Sequence, residues 1–222
     1  MAVSVVKVGG SLFEERRSLV RLFIELEALA RVHKILVVPG GGVFADTVRE
    51  VDRRVHLSDI AAHEMAILAM DQYGLLLSDI ARRARPVYGM TMASEHMRRG
   101  ILAILLPSRL MLTRNEMRPS WDATSDSIAA FIAQHLHARR LILITDVDGI
   151  FTADPKVNPK AKLIKHVSAS QLLRWNKRTS VDSFLPRVLQ SGIDCYVVNG
   201  KHPERVESIL KGTPATYTRV TT

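Results

Sequence analysis

A single cysteine, Cys195, in 222 residues excludes an internal disulfide framework and any zinc site built from several thiolates. It suits a reducing compartment, where structural disulfides are rare. Aromatic residues are also scarce, at 5%. No recognisable nucleic-acid motif interrupts the basic stretches, which argues against a nucleic-acid partner. No apolar run approaches the roughly 18 residues that mark a membrane span. The opening residues, MAVSVVKVGG, lack the basic and long apolar regions of a secretory signal. The expectation is a cytoplasmic protein with no membrane partner. No GxxxxGK(S/T) or GxGxxG sequence occurs, so neither a P-loop nor a dinucleotide fingerprint is present. Twelve glycines and nine prolines are ordinary usage and leave no collagen-like or low-complexity segment.

What is present reads as a folded chain, with 47% hydrophobic and 24% charged residues. Its length corresponds to about one and a half typical domains, and no Pro/Gly-rich linker divides it. Lys and Arg number 31 against 22 Asp and Glu, a formal charge of +9. That balance favours anionic partners such as phosphorylated metabolites, nucleic acid or a membrane surface, and does not choose among them.

Short apolar runs alternate with helical patterns. Ala2–Val8, Lys34–Val38, Ile101–Leu106, Leu141–Thr145 and Asp194–Val198 are β-rich and continuous, as strands buried on both faces should be. Thr216–Val220 reads as a last edge strand. Helical spacing covers Arg17–Val32, Phe44–His56, Ser58–Arg83, Ala123–His137 and Ser183–Gln190. Ser58 is placed to cap its helix, and Asp59 in the first turn suits the helix dipole. Strand–helix alternation predicts an α/β fold with a mainly parallel central sheet covered on both faces.

Three loops follow strand signals. In KVGGS, Lys7 ends a strand and Gly9, Gly10 and Ser11 follow. Without side chains in the way, backbone N–H groups can converge on a phosphate there, with Lys7 in reach as a point charge. In PGGG, Gly40, Gly41 and Gly42 precede a helix, a second anion cradle. In TDVDGIFTADPK, Thr145, Asp146, Asp148, Gly149, Phe151, Asp154 and Lys156 supply carboxylates, a glycine turn and an aromatic suited to a ribose and base. The spacing lacks the closing Glu of a calcium-binding EF-hand loop. Ligands of open parallel sheets lie beyond the carboxyl ends of the strands, so the three loops are expected to meet on one sheet edge.

These three motifs, in this order over about Val5 to Gly200, resemble the amino acid kinase superfamily. The resemblance implies one αβα-sandwich domain spanning 1–222, with an acceptor-binding part up to about residue 120 and a nucleotide-binding part from about 121. It implies ATP with Mg²⁺, and Lys7 stabilising the transferring phosphoryl. Gly9, Gly10, Ser11 and the Thr145–Lys156 loop would serve ATP, and Gly40–Gly42 the acceptor. Asp126, in TSDS, matches the family's aspartate that orients catalytic lysines. The physics agrees, because phosphoryl transfer is mostly positioning and charge stabilisation. One departure is that no lysine occurs within Thr179–Gln190, where relatives commonly carry a second one. Arg187 is the expected replacement, with Lys177 or Arg178 as the alternative; Asp182 anchors this loop or simply caps its helix.

The segments HLSDIAAHEMAILAMDQYG, PSWDATSDSIAAFIA and VVNGKHPERV resemble a smaller branch, the aminomethylfuran phosphate kinases of methanofuran biosynthesis. That implies a small phosphate monoester as acceptor. Arg49 and Arg53, four apart on a helix, would suit its phosphate, and the alternative is a solvated basic face. His63 reads either as a substrate contact or as an ordinary helix histidine, and Trp121 as a wall for a flat ring or as core. Thr124 stands at the same site, before Asp126. A uridylate or isopentenyl phosphate acceptor, and a non-catalytic nucleotide-binding relative, are the competing readings. Self-association is expected through the apolar face of Ser58–Arg83.

Overall fold

The computed structural model describes residues 2–114, 124–175, 185, 189 and 192–221. Its strands are β1 (Val3–Val8), β2 (Lys34–Pro39), β3 (Arg85–Val87), β4 (Ala103–Leu105), β5 (Arg140–Thr145), β6 (Ile150–Phe151), β7 (Leu163–Ile164), β8 (His166–Ser168), β9 (Asp194–Asn199) and β10 (Thr218–Thr221). Eight form one sheet in the order β3-β4-β2-β1-β5-β9-β10-β8, and β6 with β7 makes a separate hairpin. From β3 to β9 every neighbouring pair is parallel. β10 then runs antiparallel to β9, and β8 pairs parallel with β10. The segment expected at the sheet edge is therefore interior. β8 covers the side of β10 that faces away from β9.

Period-two alternation along the central strands supplies both faces. Val5, Leu36, Leu141, Leu143, Cys195 and Val197 pack into one core cluster. Their neighbours Val6, Ile35, Ile142, Ile144, Tyr196 and Val198 pack into the other. Burying each such side chain stabilises the fold by roughly 1.5–3 kcal/mol. The first face is covered by α4 (Met90–Arg98) and α6 (Ser125–His135), and the second by α1 (Arg16–Ala30) and α8 (Glu204–Lys211). Helix α3 (Asp59–Ile80) feeds both clusters, with Ile67 and Met70 in one and Tyr73 and Leu77 in the other. Helices α2 (Gly42–Val55), α5 (Ser108–Arg114) and α7 (Ala169–Trp175) complete the layers. The expected helix Ser183–Gln190 lies outside the described residues, except for the buried Leu185 and Leu189.

Ser58 caps α3 as its sequence indicates, its hydroxyl accepting from the Ala61 N–H at 3.2 Å. The helix stops at Ile80, short of Arg83. The Glu27 carboxylate accepts from the Arg83 and Ala84 N–H groups at 2.7 and 3.1 Å, and Pro86 favours an extended Arg85. Among the described residues no helix is long and apolar enough to cross a membrane.

Candidate active site

The carboxyl ends of β1, β2, β5 and β9 lie side by side, so the loops after them share one sheet edge. Lys7, on the penultimate position of β1, is half-buried at the foot of these loops. Its Nζ lies 2.7 Å from Asp126 Oδ1, and the two side chains are only 13% and 8% exposed. Asp126 is held by the start of α6, where the Thr124 hydroxyl accepts from the Asp126 N–H at 3.4 Å. A carboxylate in a first helical turn also suits the dipole. A pair this far from water is costly to break, because the remaining charge is stranded.

The first two glycine loops touch. Gly9 N–H donates to Ile144 O at 2.9 Å, and Gly40 N–H donates to Val8 O at 2.8 Å, fastening each loop to its neighbouring strand. The Tyr73 hydroxyl, fully buried on α3, donates to Gly9 O at 3.3 Å. Gly42 adopts φ +55° with its Cα against the Tyr73 ring. A Cβ on Gly10 would overlap the Gly42 Cα and lie 2.6 Å from its nitrogen. Only glycines allow two backbones to meet this closely over the N-terminus of α2, which no side chain caps. Gly10→Ala is expected to push these loops apart. It should weaken ATP binding at least about tenfold and lower stability by about 1–3 kcal/mol, read by calorimetric titration and thermal melting.

Next to this meeting point, α2, α3 and the start of α6 enclose an open cleft of about 420 Å³ including its mouth. Gly41, Arg49, His63 and Thr124 line it, over an apolar floor that includes Ile67, Met70 and Ile128. Burial pushes the His63 imidazole below its ordinary pKa, so it is neutral at pH 7. Arg49 Nη1 lies 2.6 Å from Asp46 at the cleft. Arg53 does not join it. Each four-residue step along a helix climbs about 6 Å and turns a further ~40°. Arg53 therefore points outward, 74% exposed and 2.5 Å from Glu50. Of the three expected side chains Arg49, Arg53 and His63, the cleft brings together Arg49 and His63, from two helices.

On the other side lies the loop after β5. Asp146 is ion-paired with Lys156 and bonded to Ser11 of the first glycine loop. Burial pushes the Asp146 carboxyl up, but the Lys156 ammonium and Ser11 outweigh it and hold it below the usual carboxylate range. Asp146 in turn raises Lys156. The pair thus stabilises the loop fully between the ordinary carboxylate and the ordinary lysine pKa, and its contribution fades as pH rises through the raised Lys156 value. It is lost as pH falls through the depressed Asp146 value. Asp154 Oδ1 accepts from the Lys156 N–H at 2.9 Å, a local turn that aims the lysine back. Phe151 sits half-buried in the β6–β7 hairpin, paired with Leu163. Asp148 Oδ1 accepts from Arg205 and Asn199 at 2.6 and 3.0 Å, so this oxygen faces protein side chains. Thr145 O accepts from the Gly200 N–H at 2.8 Å, and Gly149 ends the turn.

Trp121 and Arg187, with Lys177, Arg178 and Asp182, lie outside the described residues. Sequence reasoning missed Tyr73, Arg205, Asn199 and the apolar cleft floor. Tyr73 reads as one more apolar helix position, and its bond to Gly9 O and its place beside Gly42 single it out. Among the described residues no group of three His, Cys, Asp or Glu side chains is arranged to hold a metal.

Comparison with known proteins agrees with this layout. A model of the amino acid kinase family matches residues 2–199. The [5-(aminomethyl)furan-3-yl]methyl phosphate kinase of Methanocaldococcus jannaschii is 35% identical over 219 residues, covering 97% of this chain and 96% of that protein. A uridylate kinase from Thermofilum pendens is 32% identical over 227 residues, covering 95% and 94%. The crystal structure of uridylate kinase from Archaeoglobus fulgidus superposes with a TM-score of 0.76 over 100% of both chains, at 24% identity, and so shares the fold. By its loop order, its sheet and the family match over most of its length, the chain belongs to the amino acid kinase family.

Proposed function

We propose that this chain is an ATP-dependent kinase that transfers the γ-phosphoryl group to a small phosphate monoester. The proposed acceptor is an aminomethylfuran phosphate, a precursor of a methanofuran-type one-carbon carrier. The observation that carries the reading is Lys7, half-buried and oriented by Asp126 where the two glycine loops meet. A fixed ammonium at that point stabilises charge on a transferring phosphoryl and needs no reorganisation during the reaction. ATP fits this site because the Lys7 ammonium and the Ser11 hydroxyl converge beside Gly9 at the carboxyl end of β1, where phosphate oxygens can be met by a cation, a hydroxyl and backbone N–H groups. Mg²⁺ would enter with the triphosphate, held mainly by phosphates and water.

Each described residue then has a part. Gly9, Gly10 and Ser11 hold triphosphate oxygens through backbone and hydroxyl groups, with Lys156 reaching from Asp146. The α2 N-terminus at Gly40–Gly42 receives the acceptor phosphate. Arg49 and the neutral His63 flank the acceptor body, and Ile67, Met70 and Ile128 give a small ring an apolar floor. In the same reading Arg187 supplies the second charge on the transferring phosphoryl, with Lys177 or Arg178 as the alternative, and Trp121 walls the acceptor ring. Apolar side chains exposed on α3, namely Ile60, Leu68 and Leu75, support self-association.

A uridylate acceptor is the second reading, favoured by the 32% identity to a uridylate kinase. An ADP-release assay with ATP·Mg²⁺ separates the two. The panel holds aminomethylfuran phosphate, UMP, isopentenyl phosphate, acetylglutamate and aspartate. Turnover with the furan phosphate, at a kcat/KM at least about a hundredfold above UMP, is the expected result. Preference for UMP would install the second reading. ADP binding without turnover of any acceptor would favour a non-catalytic relative.

A further inference from the structure

The Asp148 carboxylate and the helix after β9 meet in an arrangement to which no role has been given above. Arg205 lies beyond the matched residues 2–199, in the first turn of α8. A cation there opposes the helix dipole, which favours the acidic Glu204 and Glu207 of the same turn. Arg205 is nevertheless drawn inward, its side chain only 17% exposed, with Nη1 2.6 Å from Asp148 Oδ1. Asn199, the last residue of β9, donates to the same oxygen at 3.0 Å and accepts from the Lys201 N–H at 3.0 Å. Burial alone would push Asp148 up, but Arg205 and Asn199 hold it below the usual carboxylate range.

The same turn is pinned at its far end. Gly149 has φ +150°, and a Cβ there would come within 2.5 Å of Thr218 Oγ1. Thr218 Oγ1 accepts from the Ile150 N–H at 2.8 Å and donates to Ile164 O at 2.5 Å. The near end is held by the Gly200 N–H on Thr145 O. Between these two anchors, Asp146 is held by Lys156 and Ser11, and Asp148 by Arg205 and Asn199. Arg205 is thus poorly placed for α8 and well placed for the β5–β6 turn.

We propose that Arg205 is a positioning residue for the nucleotide: by holding Asp148 it fixes the β5–β6 turn on which the adenosine end of ATP is bound. The proposal rests on the kinase reading and on the nucleotide role of that turn. Losing a charge-assisted hydrogen bond of this kind should loosen the turn in the free protein. Nucleotide binding would then have to order it.

Calorimetric titration of the full chain with ADP tests this without any acceptor. Arg205→Met is expected to weaken ADP binding about tenfold and to raise the ATP KM by a similar factor. kcat and the acceptor KM should stay within about twofold, because the transferring phosphoryl is served by Lys7 rather than by this turn. Arg205→Lys should recover part of the affinity. Asp148→Asn should match Arg205→Met, and the double variant should lose no more than either single one. Lys211→Ala, on the exposed side of the same helix, should bind ADP as the unaltered protein does. If Arg205→Met does not fold, Arg205→Lys and Asp148→Asn decide by the same titration. Unchanged ADP affinity in the folded Arg205 variants, additive losses in the double variant, or an equal loss in Lys211→Ala would overturn the proposal. Failure of the unaltered protein to bind ADP would instead overturn the kinase reading beneath it.

Discussion

Lys7→Met is expected to lower kcat by about a thousandfold while ADP affinity falls by no more than about tenfold. The methionine keeps the length of the buried stem and removes only the ammonium. If Lys7 acts on charge that develops during transfer, its loss appears in kcat and not chiefly in binding. The comparison of stopped-flow single turnovers with ADP titrations reads the two separately. A variant retaining a tenth or more of the original kcat would remove Lys7 from the catalytic role, and with it the observation on which the function rests. A nucleic-acid-binding protein with this charge would show no such dependence, since its affinity would be spread over many cations.

The second large effect concerns stability. Asp126→Ala strands the Lys7 ammonium, whose side chain is 13% exposed, and is expected to destabilise the fold by about 3–5 kcal/mol. For a domain of this length that corresponds to a fall in Tm of about 10 °C. The double variant Lys7→Met/Asp126→Leu should recover most of this loss, because an apolar pair of similar volume carries no desolvation cost. It should remain inactive. Stability is therefore regained in the double variant without activity, whereas a purely structural ion pair would regain both. Equal melting temperatures for Asp126→Ala and the unaltered protein would show that the pair is better solvated than its geometry indicates.

The cleft proposed for the acceptor carries a different physical logic from the loops proposed for the nucleotide. The cleft between α2, α3 and α6 combines an arginine, a neutral imidazole and an apolar floor, which suits a small ring bearing charged substituents. The loops proposed for the nucleotide are tied together largely by charge. Asp146 links Ser11 to Lys156, Glu15 pairs with Lys201 at 3.0 Å, and Asp148 links Asn199 to Arg205. Exposed pairs of this kind contribute little to stability individually. Their effect is to join the first glycine loop, the β5–β6 turn and the β9–α8 connection into one surface.

The sequence by itself determined the parallel core and the three loops. Continuous apolar strands leave no solvent face, so β1, β2, β5 and β9 could only be central, and the open-sheet rule then put their loops on one edge. It also determined the chemical character of Lys7 and Asp126, because a strand-end lysine and a helix-start aspartate are local features. Short strands were not legible: Arg85–Val87 and His166–Ser168 are too brief to show a period, and they form because longer neighbours offer ladder partners. The placement of Thr218–Thr221 inside the sheet, rather than at its edge, was likewise decided by β8 arriving from elsewhere in the chain. Only the tertiary structure decided that Arg49 faces the cleft while Arg53 turns to Glu50, since that depends on where α3 and α6 end the groove. It alone brought Tyr73 under Gly42, and Arg205 onto Asp148 across 57 residues of sequence. Spacing along a chain encodes which face of a helix or strand a residue shares; it does not encode which distant face packs against it, and that packing chose the partners.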